Sequence, residues 1–342
     1  MTAADIGSLP ADHPPISNPK VGVLLLNLGT PDGTGFGAMW RYLRQFLSDR
    51  RVIEVPRAIW LPILYGPILT FRPRKSSRAY AEIWDQERGD SPLRLISQDQ
   101  KTALEHRLPN VKLALGMRYG NPSTQRALQE LVDAGCQKIL CAALYPQYAA
   151  ATTATAYDEV FRNLMRMRWQ PAIRTLPTYH DDPAYIEALA TDTMRQLEAL
   201  DFEPERLLTS YHGVPQSYLI KGDPYHCLCH KTTRLLGEQL PKDAPPLEVT
   251  FQSRFGPAEW LKPYTDKTLE AHAKSGMKRV AVTMPGFSVD CLETLEEIGM
   301  GLKEEWHDNG GTDFAALACL NAEKPAIDLI ETLVRRNLSG WI

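Results

Sequence analysis

The sequence has no strong excess of charge, which limits the partners it can attract. Its 342 residues include 38 Lys and Arg against 41 Asp and Glu, a formal net charge of −3, and no run of like charges could form a binding tail. Nucleic-acid binding relies on clustered positive charge. The composition therefore argues against a nucleic-acid partner.

Long apolar runs are also missing. The most apolar stretch, residues 58–69, contains two prolines and is shorter than the roughly 20 residues of a membrane-spanning helix. Residues 1–19 have neither the basic start nor the apolar core of a signal peptide. We expect them to be a disordered lead-in to a cytoplasmic protein.

Cysteine is sparse. The six cysteines lie mostly within apolar strand-like or helical patterns, which favours reduced thiols over a disulfide framework. They are Cys136, Cys141, Cys227, Cys229, Cys291 and Cys319.

What the sequence does contain is a regular alternation of short apolar runs and amphipathic segments. The clearest predicted strands are VGVLLLN, VKLALG, KILCAAL, RLLTSY, LEVTFQ and RVAVTM. Helices between them include STQRALQELVDAG and PAYIEALATDTMRQLEAL, of which the second begins with a proline, as first helical turns often do. This order predicts βαβ units around parallel sheets.

An internal repeat indicates two such units. Two stretches, beginning at residues 113 and 249, share the order strand, Arg-aromatic-Gly, proline, helix, Gly and strand. This repeat matches Arg118 with Arg254 and Gly135 with Gly276. The sequence thus predicts an α/β fold of two similar doubly wound, Rossmann-like domains with parallel sheets.

The domain boundaries follow from this repeat. We expect an N-terminal domain over residues 20–160 and a C-terminal domain over residues 161–323, with a final helix, 324–338, packed on the first. Ligands of such folds bind beyond the carboxyl ends of the strands, often between lobes.

The segment MPGFSVDCLETLEEIGMGLKEE carries an unusual set of acids. An α-helix beginning near Ser288 would align Asp290, Glu293, Glu297 and Glu304 in one stripe with no cation between them. A solvated helix face is the ordinary explanation of a charged stripe, although such faces usually mix signs. Carboxylates needed for proton transfer or for a cation also fit. The residues alone leave both explanations open.

His212 ends the predicted strand RLLTSYH and is followed by Gly213 and Pro215. A strand that stops there places the imidazole at the carboxyl edge of the sheet, where α/β enzymes usually place their chemistry. The alternative is a histidine that is hydrogen-bonded in a loop.

Two short motifs carry weaker signals. GTGFGA, residues 33–38, formally matches a dinucleotide fingerprint, but LGTPD separates it from the preceding strand. YHCLCH, residues 225–230, gathers metal-ligating residue types in a spacing that is unusual for zinc or iron–sulfur sites. We favour a helix start rich in polarizable residues there, because a metal site would need ligands from elsewhere.

Residues 39–75, the lip segment, carry eight basic residues against two acidic ones, interleaved with aromatic residues. This pattern suits a flat, anionic, apolar ligand or an anionic membrane surface. Cations lying over a helical core explain it equally well. On the first explanation, Trp60, Ile63 and Leu64 are exposed apolar residues.

Six separated motifs together resemble the ferrochelatase family, which inserts ferrous iron into a porphyrin at the end of heme synthesis. In family order they are LLLNLGTP, MRYGNP, LYPQYAAATT, SYHGVPQSYLIKGDPY, FQSRFGPAEWLKPYTD and PGFSVDCLETLEEI. They span residues 20 to about 340. The resemblance implies a chelatase-like fold and an enzyme that inserts Fe²⁺ into protoporphyrin IX with release of two protons.

The resemblance also implies roles for individual residues. His212 and Glu293 match the catalytic and metal-binding pair, and Asp290 and Glu297 continue an acidic path for protons or metal. The residues that match porphyrin-binding positions are Leu28, Arg50, Arg118, Tyr119 and Trp260.

The sequence departs from the family pattern at two points. Cys291 stands where many relatives have histidine. Ala150 stands where a cluster cysteine can occur, and the chain ends at Ile342 without the extension that holds a cluster in some relatives. We therefore expect no iron–sulfur cluster, and no cofactor beyond the ferrous iron substrate.

The resemblance implies porphyrin and ferrous iron as partners. From its basic and aromatic residues, we expect the lip segment to form a lip of the porphyrin cleft and to make peripheral contact with the inner face of the membrane. Association with neighbouring heme-pathway enzymes is compatible with this picture. Two alternatives remain: a chelatase that loads cobalt or iron into a more carboxylated tetrapyrrole, and a two-lobed protein that binds heme without inserting metal.

Overall fold

Two parallel sheets organise the computed structural model, which describes residues 20–342; the predicted lead-in, residues 1–19, lies outside the described residues. The first sheet contains β1 (Lys20–Thr30), β2 (Val111–Gly120), β3 (Cys136–Ala143) and β4 (Ala172–Thr175). The second contains β5 (Arg206–His212), β6 (Leu247–Gln252), β7 (Arg279–Thr283) and β8 (Asp313–Ala316). The strand orders β2-β1-β3-β4 and β6-β5-β7-β8 are equivalent.

The helices cover the faces of these sheets. Those associated with the first sheet are α1 (Phe36–Leu47), α2 (Arg57–Ile63), α3 (Leu69–Ile83), α4 (Pro92–Arg107), α5 (Thr124–Asp133) and α6 (Thr155–Leu164). The later ones are α7 (Pro183–Glu198), α8 (Gln216–Ile220), α9 (Tyr225–Gln239), α10 (Thr265–Lys274), α11 (Lys303–Asp308) and α12 (Lys324–Asn337). A π-helix, Glu293–Leu302, precedes α11. Among the helices of residues 20–342, none is long and apolar enough to cross a membrane.

The internal repeat is real, but its register differs from the predicted one. In each sheet the second strand closes on a proline: Met117 N donates to Pro122 O at 2.7 Å, and Phe251 N donates to Pro263 O at 2.8 Å. This geometry pairs Arg118 with Gln252, and not with Arg254 as the motifs suggested. The reason is that the loop after β6 is longer than the loop after β2. Aligning the two Arg-aromatic-Gly motifs therefore placed the extra residues of the β6 loop at the wrong position.

All six predicted strands are present, whereas β4 and β8 were missed because both are only four residues long. β4 pairs in parallel with β3, so the first sheet continues to residue 175. The predicted boundary between residues 160 and 161 is therefore too early. The final helix, α12, packs against α4 and β3 and also against α7.

One continuous apolar core joins the two sheets. It contains Leu25 and Leu140 from the first sheet and Leu207 and Ala281 from the second, all fully buried. Tyr185 on α7 lies in the same core and donates a hydrogen bond to Pro285 O. The facing edges of the two domains are consequently held in a fixed relation.

Candidate active site

The imidazole of His212 lies at the carboxyl end of β5, as predicted, and its orientation is set locally. Its Nδ1 is 2.6 Å from the carbonyl oxygen of Gly213. A proton on Nδ1 donates to that carbonyl and leaves the Nε2 lone pair available as a base. The half-buried ring thus combines a fixed orientation with an accessible nitrogen.

Gly213 allows an aromatic side chain to approach this histidine closely. A Cβ atom at position 213 would lie 2.8 Å from Gln252 O and 3.2 Å from the ring of Trp260, so a larger residue would displace one of them. Trp260 is buried, and its Nε1 donates to Phe255 O at 3.0 Å. The structure therefore places Trp260 as an apolar wall beside His212.

The π-helix positions Glu293 and Glu297 near His212. Gln252 Nε2 donates to the backbone oxygen of Glu293 at 2.8 Å, and Ser210 Oγ donates to Gln252 Oε1 at 2.7 Å. These bonds attach the start of the π-helix to the strands β5 and β6. The histidine at the end of β5 and the carboxylates of the π-helix are therefore positioned by one connected framework.

The surroundings of Glu297 change the pKa of its carboxyl. Burial raises the pKa of its carboxyl, and the negative charge of Glu293 raises it further, whereas a hydrogen bond from Ser253 and the charge of His212 lower it. The Ser253 Oγ–Glu297 Oε2 distance is 2.5 Å. Because both the His212 and Glu293 charges act on Glu297, the three ionisable groups form one site.

Asp290 does not continue the predicted acidic line. Its carboxylate accepts hydrogen bonds from Thr294 Oγ1 at 2.9 Å, Cys319 N at 3.2 Å and Asn321 Nδ2 at 2.6 Å. It is buried, and it lies before the first turn, since the helix begins at Glu293 and not near Ser288. The stripe expected for an α-helix is therefore broken, and Asp290 holds the loop that follows β8.

Leu28 does reach the site, together with Tyr80, which the sequence did not identify. A cavity of about 10 Å³, the size of one water molecule, is lined by Leu28, Tyr80, Cys291 and Glu293 among others. Burial raises the pKa of Tyr80 well above its ordinary value, and the Glu293 charge adds to this effect. A tyrosine on an amphipathic helix gives no sequence signal for such a position.

Arg118 and Tyr119 belong to a buried polar network. Arg118 pairs with the Asp49 carboxylate and donates from Nε to Thr155 Oγ1 at 2.7 Å. Tyr119 is fully buried and its hydroxyl donates to Asp49 at 2.8 Å. Their polar groups are enclosed and bonded to protein partners, and direct porphyrin contact by these two residues stays a prediction.

This network supports the loop that carries Arg50. Although burial alone would raise the pKa of Asp49, hydrogen bonds from Thr155 and the Arg51 backbone and the charge of Arg118 hold it below its usual value. Asp49 is therefore a fixed anion. Arg50, next to it, is exposed and has no ion-pair partner in the part of the chain that the structure describes, which leaves its guanidinium available for an anionic ligand.

Two further predictions about local motifs can be assessed. YHCLCH does begin a helix, α9, with Tyr225 and Cys229 buried and Cys227 exposed.

In the lip segment, Leu64 is fully buried and Trp60 is half-buried, and Trp60 Nε1 donates a hydrogen bond to Leu47 O at 2.7 Å. The expectation that Trp60, Ile63 and Leu64 share one exposed face is thus wrong for Leu64.

Comparison with solved structures identifies the class of this fold. SirB from Bacillus subtilis with Fe³⁺ matches with a TM-score of 0.56 at 11% identity, covering 94% of this chain and 98% of that chain. The sirohydrochlorin chelatase SirB from Bacillus subtilis subspecies spizizenii, in complex with cobalt, matches with a TM-score of 0.52 at 10% identity, covering 94% and 96%. Likeness at such low identity concerns the fold alone. It defines a two-domain α/β protein of the chelatase fold.

Sequence comparison defines the family. The ferrochelatase family model matches residues 20–338. Ferrochelatases from Allorhizobium ampelinum and Mesorhizobium japonicum are 54% and 56% identical to this chain; the matches cover 99% and 97% of this chain and 100% and 95% of those proteins. The chain belongs to the ferrochelatase family.

Proposed function

We propose that His212, Glu293 and Glu297 carry out the proton and metal steps of iron insertion in this protein. The chain is a metal-inserting enzyme of heme synthesis that loads Fe²⁺ into protoporphyrin. The observation that carries the assignment of roles is that the charges of His212 and Glu293 both act on the buried carboxyl of Glu297. Trp260 lies beside Gly213, the residue after His212.

The reaction requires acceptors for two protons. Fe²⁺ replaces the hydrogens on two pyrrole nitrogens, so the porphyrin gains one metal ion and releases two protons. In the proposed scheme, His212 Nε2 accepts one of these two protons from one side of the porphyrin. Glu293 contacts the incoming Fe²⁺, because carboxylate oxygen and imidazole nitrogen are both suitable ligands for ferrous iron.

Glu297 extends this scheme away from the reacting centre. The pKa of its carboxyl is raised by burial and by Glu293, so it binds a proton more readily than an exposed glutamate would. A released proton can therefore pass to Glu297. Its neighbour Ser253 donates to the carboxylate oxygen Oε2.

The porphyrin seat follows from the apolar and cationic residues around these groups. Trp260 and Leu28 supply apolar surface on the two sides of the site. Arg50 supplies a cation at the edge, where the propionates of a protoporphyrin carry negative charge. Arg118 and Tyr119 act indirectly: they bond Asp49 and so support the loop that carries Arg50.

Anaerobic insertion assays test this assignment. Purified protein is mixed with Fe²⁺ and protoporphyrin IX, and metal insertion is followed by absorbance. His212→Ala and Glu293→Gln should each lose most turnover while binding porphyrin with near-native affinity, because each removes a proton or metal acceptor without removing the apolar walls. Glu304→Gln, on the exposed surface of α11, is the matched control and should retain activity.

Turnover within threefold of wild type in either site variant would contradict the assignment. The same assay with a more carboxylated porphyrin separates the substrates: preference for protoporphyrin supports the two-propionate seat around Arg50. Tight heme binding by a wild-type protein that inserts no iron would instead indicate a carrier.

We further propose that the lip segment makes peripheral contact with the inner face of a membrane, from a cytoplasmic protein. Ile59, Ile63 and Phe71 are exposed to 58%, 41% and 68%, and Arg57 and Arg72 flank this stretch in the sequence. Exposed apolar side chains among cations suit an anionic bilayer surface. The described residues assign no surface to neighbouring heme-pathway enzymes, so that association stays a prediction.

A further inference from the structure

The first turns of α9 present two histidines side by side. Tyr225 and Cys229 are buried in an apolar cluster with Phe251, and His226 and His230 follow them on the adjacent side of the helix. Residues four apart on an α-helix are neighbours on one face. The two ring centroids are 4.4 Å apart, with planes inclined by 46°.

A buried aromatic side chain backs this pair. The ring of His226 stacks on Phe251, with centroids 5.7 Å apart and an interplanar angle of 17°, and the ring of His230 lies 6.3 Å from the same phenyl ring. Phe251 belongs to β6 and is 2% exposed, so it cannot move aside. Both imidazoles are therefore partly ordered before any ligand binds, which reduces the entropy lost on binding.

The ring nitrogens are available to a ligand. Within residues 20–342 no protein group makes a hydrogen bond to either ring. Partial burial lowers the pKa of both imidazoles, and the neighbouring charge of His226 lowers that of His230 further. At neutral pH each ring is uncharged and offers a nitrogen lone pair, which is the form that binds metals.

We propose that His226 and His230 form a metal site that takes a borderline divalent cation such as Zn²⁺, Ni²⁺ or Cu²⁺. Two histidines spaced i and i+4 on a helix can share one cation. No group of three or more His, Cys, Asp or Glu residues suited to a metal occurs among the residues that the structure describes, so water completes the coordination. The cation is consequently bound reversibly.

This site is separate from the reacting centre. Phe251 and Gln252 are consecutive in β6 and point to opposite faces of the sheet. Gln252 bonds the π-helix, whereas Phe251 backs the histidine pair. Imidazole sites bind Fe²⁺ more weakly than Ni²⁺, Cu²⁺ or Zn²⁺. The pair therefore selects cations other than the iron substrate, and its occupancy is independent of the proposed catalytic roles.

Equilibrium dialysis of the untagged, full-length protein against Ni²⁺ or Zn²⁺ at pH 7.5, without porphyrin, tests the proposal. His226→Ala and His230→Gln should each bind one metal ion fewer per chain than wild type, or bind that ion with an affinity lower by about tenfold or more. His272→Ala on α10, whose ring is already bonded to Glu248 at 2.8 Å, is the matched control and should bind like wild type. Glu293→Gln should also keep the equivalent.

Each other outcome is decisive. Equal stoichiometry and affinity in wild type and both histidine variants would overturn the site, as would a metal affinity that does not fall when the pH is lowered and protons compete for the imidazoles. Loss of the equivalent in Cys227→Ser alone would assign the metal to the exposed thiol instead. Since His230 is exposed, its replacement should preserve the fold, and unchanged iron insertion by His230→Gln would verify this.

Discussion

For a single carboxylate, the hydrogen-bond partners decide the role that the side chain can play. Asp290 and Glu297 belong to the same acidic segment. Asp290 has three protein donors around it, whereas Ser253 is the one donor to Glu297 found within residues 20–342. A carboxylate whose oxygens are saturated stabilises the fold. One with a free oxygen next to another charge can exchange a proton.

Glu297→Gln should change the pH dependence of stability in a defined direction. The folded-state pKa of Glu297 is raised above its unfolded value, so its stabilising contribution is complete below the unfolded value and is lost as the pH rises through the folded pKa. The glutamine variant lacks this loss. Thermal unfolding of both proteins at pH 5 and pH 8 should show the variant gaining on wild type at the higher pH. The opposite trend would mean that Glu297 is stabilised as an anion.

Asp290→Ala should mainly cost stability. Removing the buried acceptor leaves three donors without partners, which lowers the free energy of unfolding by about 2–4 kcal/mol. Glu304→Ala removes an exposed carboxylate of the same segment and should change it by no more than about 0.5 kcal/mol. Urea denaturation measures both. An Asp290 variant of native stability that inserts no iron would restore Asp290 to the acidic path.

At the scale of secondary structure, the type of helix determines which carboxylates align. The segment 293–302 is a π-helix, with more residues per turn than an α-helix. Glu293 and Glu297 remain near one line in this geometry, whereas Glu296 turns further away from them. π-Helices are rare in proteins, and those that do occur are often found at functional sites. The position of this one beside His212 agrees with that tendency.

The lip segment combines buried and exposed apolar residues, and this distinction makes its role testable. Replacing Ile59, Ile63 and Phe71 by serine should reduce binding to anionic vesicles and should leave the free energy of unfolding nearly unchanged, because all three side chains are exposed. Leu64→Ala, in the same segment, should cost about 2–5 kcal/mol. Vesicle co-sedimentation at low and high salt gives the first result, and denaturation the second.

Vesicle binding that is unaffected by the triple substitution would remove the lip segment from any membrane contact. Substantial destabilisation by the triple substitution would show that these side chains pack against the protein in solution. A salt-sensitive loss, in contrast, is expected where arginines and apolar groups act together at an anionic surface.

At the scale of the whole molecule, the six cysteines are divided among β3, α9 and the segments before the π-helix and after β8. Cys136 and Cys141 lie in β3, Cys227 and Cys229 lie on α9, and burial raises the pKa of Cys141 to about 12. Iron–sulfur clusters use several thiolates that converge on one point. This dispersion supports the proposal that the protein carries no cluster.

Purified protein should accordingly contain no acid-labile sulfide and show no visible charge-transfer absorption. Sulfide analysis and an absorbance spectrum of anaerobically purified protein measure both quantities. Cluster reconstitution of a Cys227→Ser variant serves as a control for adventitious iron. Stoichiometric sulfide in the wild-type protein would contradict the prediction.

The sequence by itself determined the features that depend on local patterning. Apolar runs and turn residues identified six strands, the internal repeat identified two similar domains, and the end of the strand RLLTSYH placed His212 at the carboxyl edge of a sheet. Short motifs also determined the family. These inferences succeeded because strand ends and amphipathic periods are encoded by neighbouring residues.

The tertiary structure decided which side chains meet. Arg118 and Tyr119 are enclosed because Asp49, distant in sequence, takes up their polar groups. Asp290 is turned from the acidic line by Asn321, and the histidines of α9 are held in place by Phe251 from β6. Burial and hydrogen-bond saturation arise from packing between distant segments, and no local pattern specifies them.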